Sequence, residues 1–256
     1  MIPMLDAKNL TVFVTGATSG FGEAVCRRFA EAGARVIASG RRAERLAELK
    51  SKIGERCCTI QLDVRDHKAI EAALAGLPDA FKNVNVVVAN AGLALGLQPA
   101  HQTDLADWEE MVDTNVKGLM YTIRAALPGM VERDEGHVVL IGSVAGDYPY
   151  PGGNVYGATK AFVKQLALNL RADLLGKNVR VTCIEPGMAE TEFSLVRFKG
   201  DEKSAKAPYA GVQPMSADDI AEMIFWSCAL PRHLNINRMQ MMPVAQAFGP
   251  FQIARK

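Results

Sequence analysis

The chain has 256 residues, 49% of them hydrophobic, and a formal net charge of +1. That length can bury a sizeable core as one large α/β domain or two small ones, and the near-neutral charge gives no footprint for nucleic acid or an acidic membrane surface. No apolar run approaches the ~20 residues of a membrane-spanning helix, and the opening MIPMLDAKNL is too short and too polar for a secretory signal.

In chain order, TVFVT (Thr11–Thr15) predicts a first strand, with a helix over about 20–32. RVIAS (Arg35–Ser39) is followed by a helix over 42–53, CTIQL (Cys58–Leu62) by one over 66–77, and VVVA (Val86–Ala89) by a long one over 107–132. HVVLIG (His137–Gly142) precedes a helix over 154–175, VRVTCIE (Val179–Glu185) one over 216–229, and RMQMM (Arg238–Met242) closes the series. Strands that are apolar throughout, each followed by a helix, require a parallel sheet covered on both faces. Right-handed crossovers make it doubly wound, a Rossmann-type α/β fold of seven parallel strands, as one domain over 1–256. Residues 187–215 break the rhythm: they are polar, long and without a strand, and read as a lid over a substrate site.

Five scattered cysteines (Cys26, Cys57, Cys58, Cys183, Cys228) show no zinc-type spacing and read as reduced structural thiols of a cytoplasmic protein. Neighbours Cys57 and Cys58 would point to opposite faces of one strand. The four histidines, His67, His101, His137 and His233, lie far apart with no carboxylate spacing suggestive of a metal.

TGATSGFG (Thr15–Gly22) joins the first strand to the first helix. Gly16, Gly20 and Gly22 would let the backbone approach a pyrophosphate at the helix N-terminus, with Thr18, Ser19 and Phe21 in the same turn. A glycine-rich turn for close helix–strand packing is the plainer reading. The first β–α junction, however, is where such sheets bind ligands. An NAD site usually carries an acid near the end of the second strand. Here Ser39 and Gly40 are followed by Arg41 and Arg42, cations suited to a 2′-phosphate, so NADP is expected over NAD. Asp63 and Val64 would border the adenine, and Asn90, Ala91 and Gly92 would let the backbone pass close to the cofactor.

VYGATKAF places Tyr156 and Lys160 four residues apart, on one helix face. A neighbouring ammonium favours a phenolate and brings a tyrosine pKa down toward useful values. An isolated YxxxK carries little weight; its company decides.

That company, TGxxxGxG, NAG, a serine after the fifth strand and YxxxK in order, resembles the short-chain dehydrogenase/reductase family from Thr11 to about Val244. The resemblance implies a tetrad of Asn115, Ser143, Tyr156 and Lys160. Tyr156 would exchange the proton, Lys160 would lower its pKa and hold the nicotinamide ribose, Ser143 would bond the substrate oxygen, and Asn115 would hold a relay water. It also implies a brace for the nicotinamide at Pro186, Gly187 and Thr191. Ala89 stands where the family often has the first asparagine of NNAG.

GFG, ALGLQPAH, DTNVKGL, GGNVYGATKAFV, TEFSLVRFKGD and HLNIN are similar to the NADP-dependent 3-hydroxy acid branch of that family. This implies substrates such as L-allo-threonine, serine, 3-hydroxyisobutyrate or malonic semialdehyde, and a cytoplasmic homotetramer. The helices at 107–132 and 154–175, apolar on more than one side, agree with assembly. A substrate carboxylate needs a cation or several donors. Arg197, flanked by Val196 and Phe198, is one candidate; Gly153 and Asn154, with Gly152, are another. Two other readings stay open: a broad carbonyl or 3-oxoacyl reductase, and an NADP-binding sensor without turnover.

Overall fold

Val12, Phe13 and Val14 are all fully buried, yet they belong to two cores: Val12 and Val14 face one, Phe13 the other. Side chains alternate across a strand, so a run that is apolar at every position must be covered on both faces. The computed structural model, which describes residues 4–249 and Ile253, shows that arrangement along five of the seven strands and leaves the two at the sheet edges partly exposed. The other positions of the expected 1–256 domain lie outside the described residues.

The strands are β1 (Thr11–Thr15), β2 (Arg35–Gly40), β3 (Cys57–Gln61), β4 (Val86–Ala89), β5 (Gly136–Ile141), β6 (Val179–Pro186) and β7 (Arg238–Met241). They form one seven-stranded sheet in the order β3-β2-β1-β4-β5-β6-β7, with every pairing parallel. The helices are α1 (Gly20–Glu31), α2 (Ala43–Ile53), α3 (His67–Ala75), α4 (Leu105–Val112), α5 (Leu119–Glu132), α6 (Asn154–Asp173), α7 (Glu192–Arg197), α8 (Glu202–Lys206) and α9 (Ala217–Ala229). One core joins the sheet to Val25 and Phe29 of α1, Leu46 and Leu49 of α2, and Ile220 and Ile224 of α9. The opposite core takes Ile70 of α3, Ile123 and Met130 of α5, and Val163 of α6. Cys57 packs in the first core and Cys58 against the second, as strand alternation requires. The strand order reverses between β1 and β4, and a crevice opens there at the carboxyl ends of the strands.

Two departures from the expected elements matter for function. The single helix expected over 107–132 is α4 and α5 joined by a π-helical stretch, Asp113–Gly118. The widened turn sets the Asn115 side chain inward, where it is buried and bonded on three sides. The segment 187–215 is without a strand, as expected, but it holds two short helices, α7 and α8.

Candidate active site

The loop after β1 is built for close approach. Gly16 and Gly20 have φ of +68° and +53°, and a Cβ on Gly16 would lie 3.0 Å from the main chain of Ala91. Ser19, the N-cap of α1, makes no side-chain capping bond, so the first N–H groups of α1 face the crevice without that partner. Thr18, Ser19, Gly20 and Phe21 line it. Gly22 does not; a Cβ there would sit 2.3 Å from the carbonyl oxygen of Gly16, so its role is packing of the loop onto α1. A phosphate group fits this cradle by charge and shape.

Asn90 holds the cradle from the next strand. Its Nδ2 donates to the carbonyls of Thr15 and Gly16 at 2.9 and 3.3 Å, and the Thr15 hydroxyl accepts from the main-chain N–H of Asn90 and Ala91. Ala91 and Gly92 line the crevice beside it.

At the end of β2, Arg41 and Arg42 line the same crevice, with Gly40 between them and the loop. The Arg42 guanidinium is fixed by three bonds to Thr18, each of 3.1 Å. Its Nη1 donates to Glu192 at 3.0 Å. Asp63 and Val64 border this end. The Arg65 guanidinium forks onto Asp63 and holds its carboxyl below the usual range.

Deeper in, Ser143, Tyr156 and Lys160 meet where β5, β6 and α6 converge. Tyr156 is buried in a small apolar cluster with Leu93, Met111, Ala145 and Phe193. Ser143 stands beside it, its Oγ donating to the Pro186 carbonyl at 3.4 Å and accepting from the N–H of Ala145 at 3.1 Å. Lys160 Nζ donates to the Ile141 carbonyl at 2.8 Å, under the loop that carries Ser143, and stands 5.8 Å from the Tyr156 ring centre.

The electrostatics differ from expectation. Burial pushes the Tyr156 phenol up to about 12, with Tyr150 adding to the rise. The groups that oppose the rise are Ser143 and Arg197, not Lys160. Lys160 is itself drawn down to about 8, because burial penalises its ammonium. Both shifts have one cause, a dry site that disfavours either ion.

Asn115 is near these groups but does not line the crevice. Its Oδ1 accepts from Leu93 N at 2.8 Å, and both its N–H donors are used, one on the Leu93 carbonyl and one on Thr159. Thr159 in turn donates to the Tyr156 carbonyl. The side chain therefore ties the Leu93 turn to α6 directly beneath Tyr156, and no N–H of the amide is left for the relay water.

Among the candidate substrate residues the structure separates two groups. Gly153 and Asn154 are spent on structure: Gly153 lies against the Tyr150 ring, and Asn154 bonds Gln98, Trp108 and its own helix start. Arg197 reaches inward from α7. It donates to the Tyr150 hydroxyl and to the Gly96 carbonyl, and its guanidinium carbon stands 5.2 Å from the Tyr156 ring centre.

The closing side comes from β6 and the segment after it. Pro186, Gly187 and Thr191 line the crevice, and Thr191 caps α7 through Phe193 N at 3.2 Å. Residues 10–201 match the short chain dehydrogenase family. The chain belongs to that family. It is 56% identical over 247 residues to the NADP-dependent 3-hydroxy acid dehydrogenase YdfG of Salmonella typhi, covering 96% of this chain and 100% of the relative. It is 52% identical over 246 residues to the serine 3-dehydrogenase of Rhizobium radiobacter, covering 96% and 98%. Among solved structures, the closed form of a serine dehydrogenase complexed with NADP+ superposes with a TM-score of 0.92 at 55% identity, covering 96% of this chain and 99% of that one.

Sequence reasoning missed several lining residues of this short-chain dehydrogenase. Leu62, Leu93 and Ile141 are apolar walls that no motif marks, and Phe193, inside TEFSLVRFKGD, is assigned no role by that stretch. Thr114, within the π turn, and Glu192, first residue of α7, could be found only once the turn and the lid were placed.

Proposed function

We propose that this chain is an NADP-dependent oxidoreductase that carries hydride between the nicotinamide and a short 3-hydroxy acid of the L-allo-threonine, serine or 3-hydroxyisobutyrate type. The observation that carries the reading is Arg197, whose guanidinium stands 5.2 Å from the ring of Tyr156. A 3-hydroxy acid places its carboxylate two carbons from the reacting carbon, within reach of a cation so placed. The bonds that hold Arg197 use Nε and Nη2. Guanidinium has five donors, so the fork can still take a carboxylate.

NADP, when bound, supplies the hydride acceptor or donor. The Gly16–Phe21 cradle would hold its pyrophosphate, Arg41 and Arg42 its 2′-phosphate, Asp63 and Val64 the adenine side, and Pro186, Gly187 and Thr191 the nicotinamide end. Tyr156, as phenolate, would take the substrate hydroxyl proton in oxidation and, as phenol, would give one to the carbonyl oxygen in reduction. Ser143 donates to that same oxygen and steadies charge as it develops. Lys160, fixed on the Ile141 carbonyl, brings a buried ammonium close to Tyr156 and would hold a ribose hydroxyl. Asn115 acts through position, holding Leu93 and Thr159 around Tyr156. The lid, 187–215, excludes water over the reacting groups.

We read the working form as a cytoplasmic homotetramer. Met120 on α5, Leu168 on α6 and Leu175 just beyond it are exposed apolar residues on the helix pair expected at the contact, and Leu175 is 80% exposed. The five cysteines are all free, which suits a reducing compartment. The test of activity is NADPH absorbance at 340 nm with L-allo-threonine, L-serine, 3-hydroxyisobutyrate and neutral ketones of similar size. Turnover of ketones alone would overturn the substrate class; turnover of nothing would favour a sensor.

A further inference from the structure

Glu192 is the first residue of α7, and its carboxylate lines the same crevice as Arg41 and Arg42. One oxygen, Oε2, accepts from Arg42 Nη1 at 3.0 Å; the other, Oε1, accepts from Arg45 Nη2 at 3.5 Å. One anion thus bridges two cations from the start of α2, the place where a 2′-phosphate would be recognised. The position is not set by Glu192 alone. Arg42 is already locked by three bonds to Thr18 through Nε and Nη2, and Thr18 packs on Gly40, where a Cβ would come within 2.6 Å of its methyl. The fork therefore presents a fixed Nη1 edge, and the lid carboxylate sits on that edge.

We propose that Glu192 stands in for the cofactor's 2′-phosphate and must give way when that phosphate arrives, which makes Glu192 a specificity residue that also couples the lid to the adenosine end of the site. The inference rests on the NADP reading above. Its physical basis is competition. Glu192 and Arg42 side chains are 38% and 43% exposed, so their ion pair is weak and readily exchanged. A phosphate offers more charge and three acceptor oxygens to the same fork. A carboxylate left beside it would repel it, so the exchange cannot be neutral for the lid helix that carries Glu192. A cofactor without the 2′-phosphate has nothing with which to displace the carboxylate.

The test uses fragments that cannot react: 2′,5′-ADP and 5′-AMP, titrated calorimetrically into the wild-type protein, Glu192→Gln, Arg42→Gln and the double variant. Glu192→Gln should bind 2′,5′-ADP about tenfold more tightly while 5′-AMP stays within twofold. In the Arg42→Gln background the same change should alter 2′,5′-ADP binding less than twofold, since the exchange runs through that guanidinium. Unchanged or weaker binding of 2′,5′-ADP by Glu192→Gln would overturn the inference and leave the cofactor reading intact. An equal gain in both backgrounds would also overturn it, reducing the effect to general charge. Wild-type protein that bound the two fragments alike would remove the NADP reading, and this inference with it.

Discussion

The guanidinium of Arg197 lies 5.2 Å from the ring of Tyr156, although one residue belongs to a short lid helix and the other to the core helix α6. The contact is held from a third element, because the Gly96 main chain exchanges two bonds with Arg197, one to its carbonyl and one from its Nε. A substrate carboxylate placed here would meet a fixed cation within the reach of the proton-transferring phenol. Arg197→Met should therefore lower kcat/KM at least tenfold for a 3-hydroxy acid and leave a neutral ketone of similar size unaffected. Equal losses on both would reduce Arg197 to a clasp of the lid.

Tyr156→Phe removes one hydroxyl from a ring that is already packed in an apolar cluster. Fold and cofactor affinity should survive, while turnover drops by about 10²–10⁴, the range of general acid–base transfer. Circular dichroism, cofactor titration and steady-state rates together check this. Near-normal rates would sink the assigned role.

Lys160 carries a pH signature. Its ammonium is drawn from the ordinary 10.5 down to about 8. Across that window the unfolded chain keeps a proton that the folded chain has released, so this residue's contribution to stability improves as pH rises and is worst below about 8. Other groups, including buried cysteines whose thiols are pushed up, act in the opposite sense, so the informative quantity is a difference. Between pH 7.5 and 9.5 the urea-derived stability of the wild-type protein should gain on that of Lys160→Met by about 2 kcal/mol. A pH-independent gap would contradict the buried ammonium.

Removing the Arg41 side chain deletes a charge that faces the crevice at the end of β2. Loss of a charge-assisted contact costs about 1.5–3 kcal/mol, so Arg41→Ala should weaken NADP binding tenfold or more with little change for NAD. Wild-type protein that used both cofactors equally well would refute the assignment.

Gly22→Ala tests packing rather than ligand contact. The new methyl would stand 2.3 Å from the Gly16 carbonyl and 2.6 Å from Asn90 Nδ2. Overpacking of this kind costs about 1–3 kcal/mol, read as a lower urea midpoint, and the displaced cradle should also bind NADP less tightly.

Much of this molecule is local information. A strand that is apolar at every position demands cover on both faces, so the seven strands and their alternation with helices could be read along the chain; β3 came out one residue early, at Cys57–Gln61. A glycine spacing at the first β–α junction, the absence of an acid after β2 and the YxxxK pair are likewise short-range patterns, and all the residues they name except Gly22, which packs the loop on α1, line one crevice. What sequence could not supply depends on groups brought together from distant elements. The π turn at Asp113–Gly118 sets Asn115 where it bonds Leu93 and Thr159, two partners that no periodicity connects. The Tyr156 and Lys160 pKa values move by burial, which neither residue's spacing encodes; one turn of helix sets their separation, but the surrounding apolar packing sets their charge. The lid is the same case: Arg197 meets Tyr156 and Glu192 meets Arg42 only because α7 folds back across the carboxyl edge of the sheet. Local pattern determined the scaffold and the chemistry available to it, and long-range packing determined which of those groups face one another, in what protonation state, and under which cover.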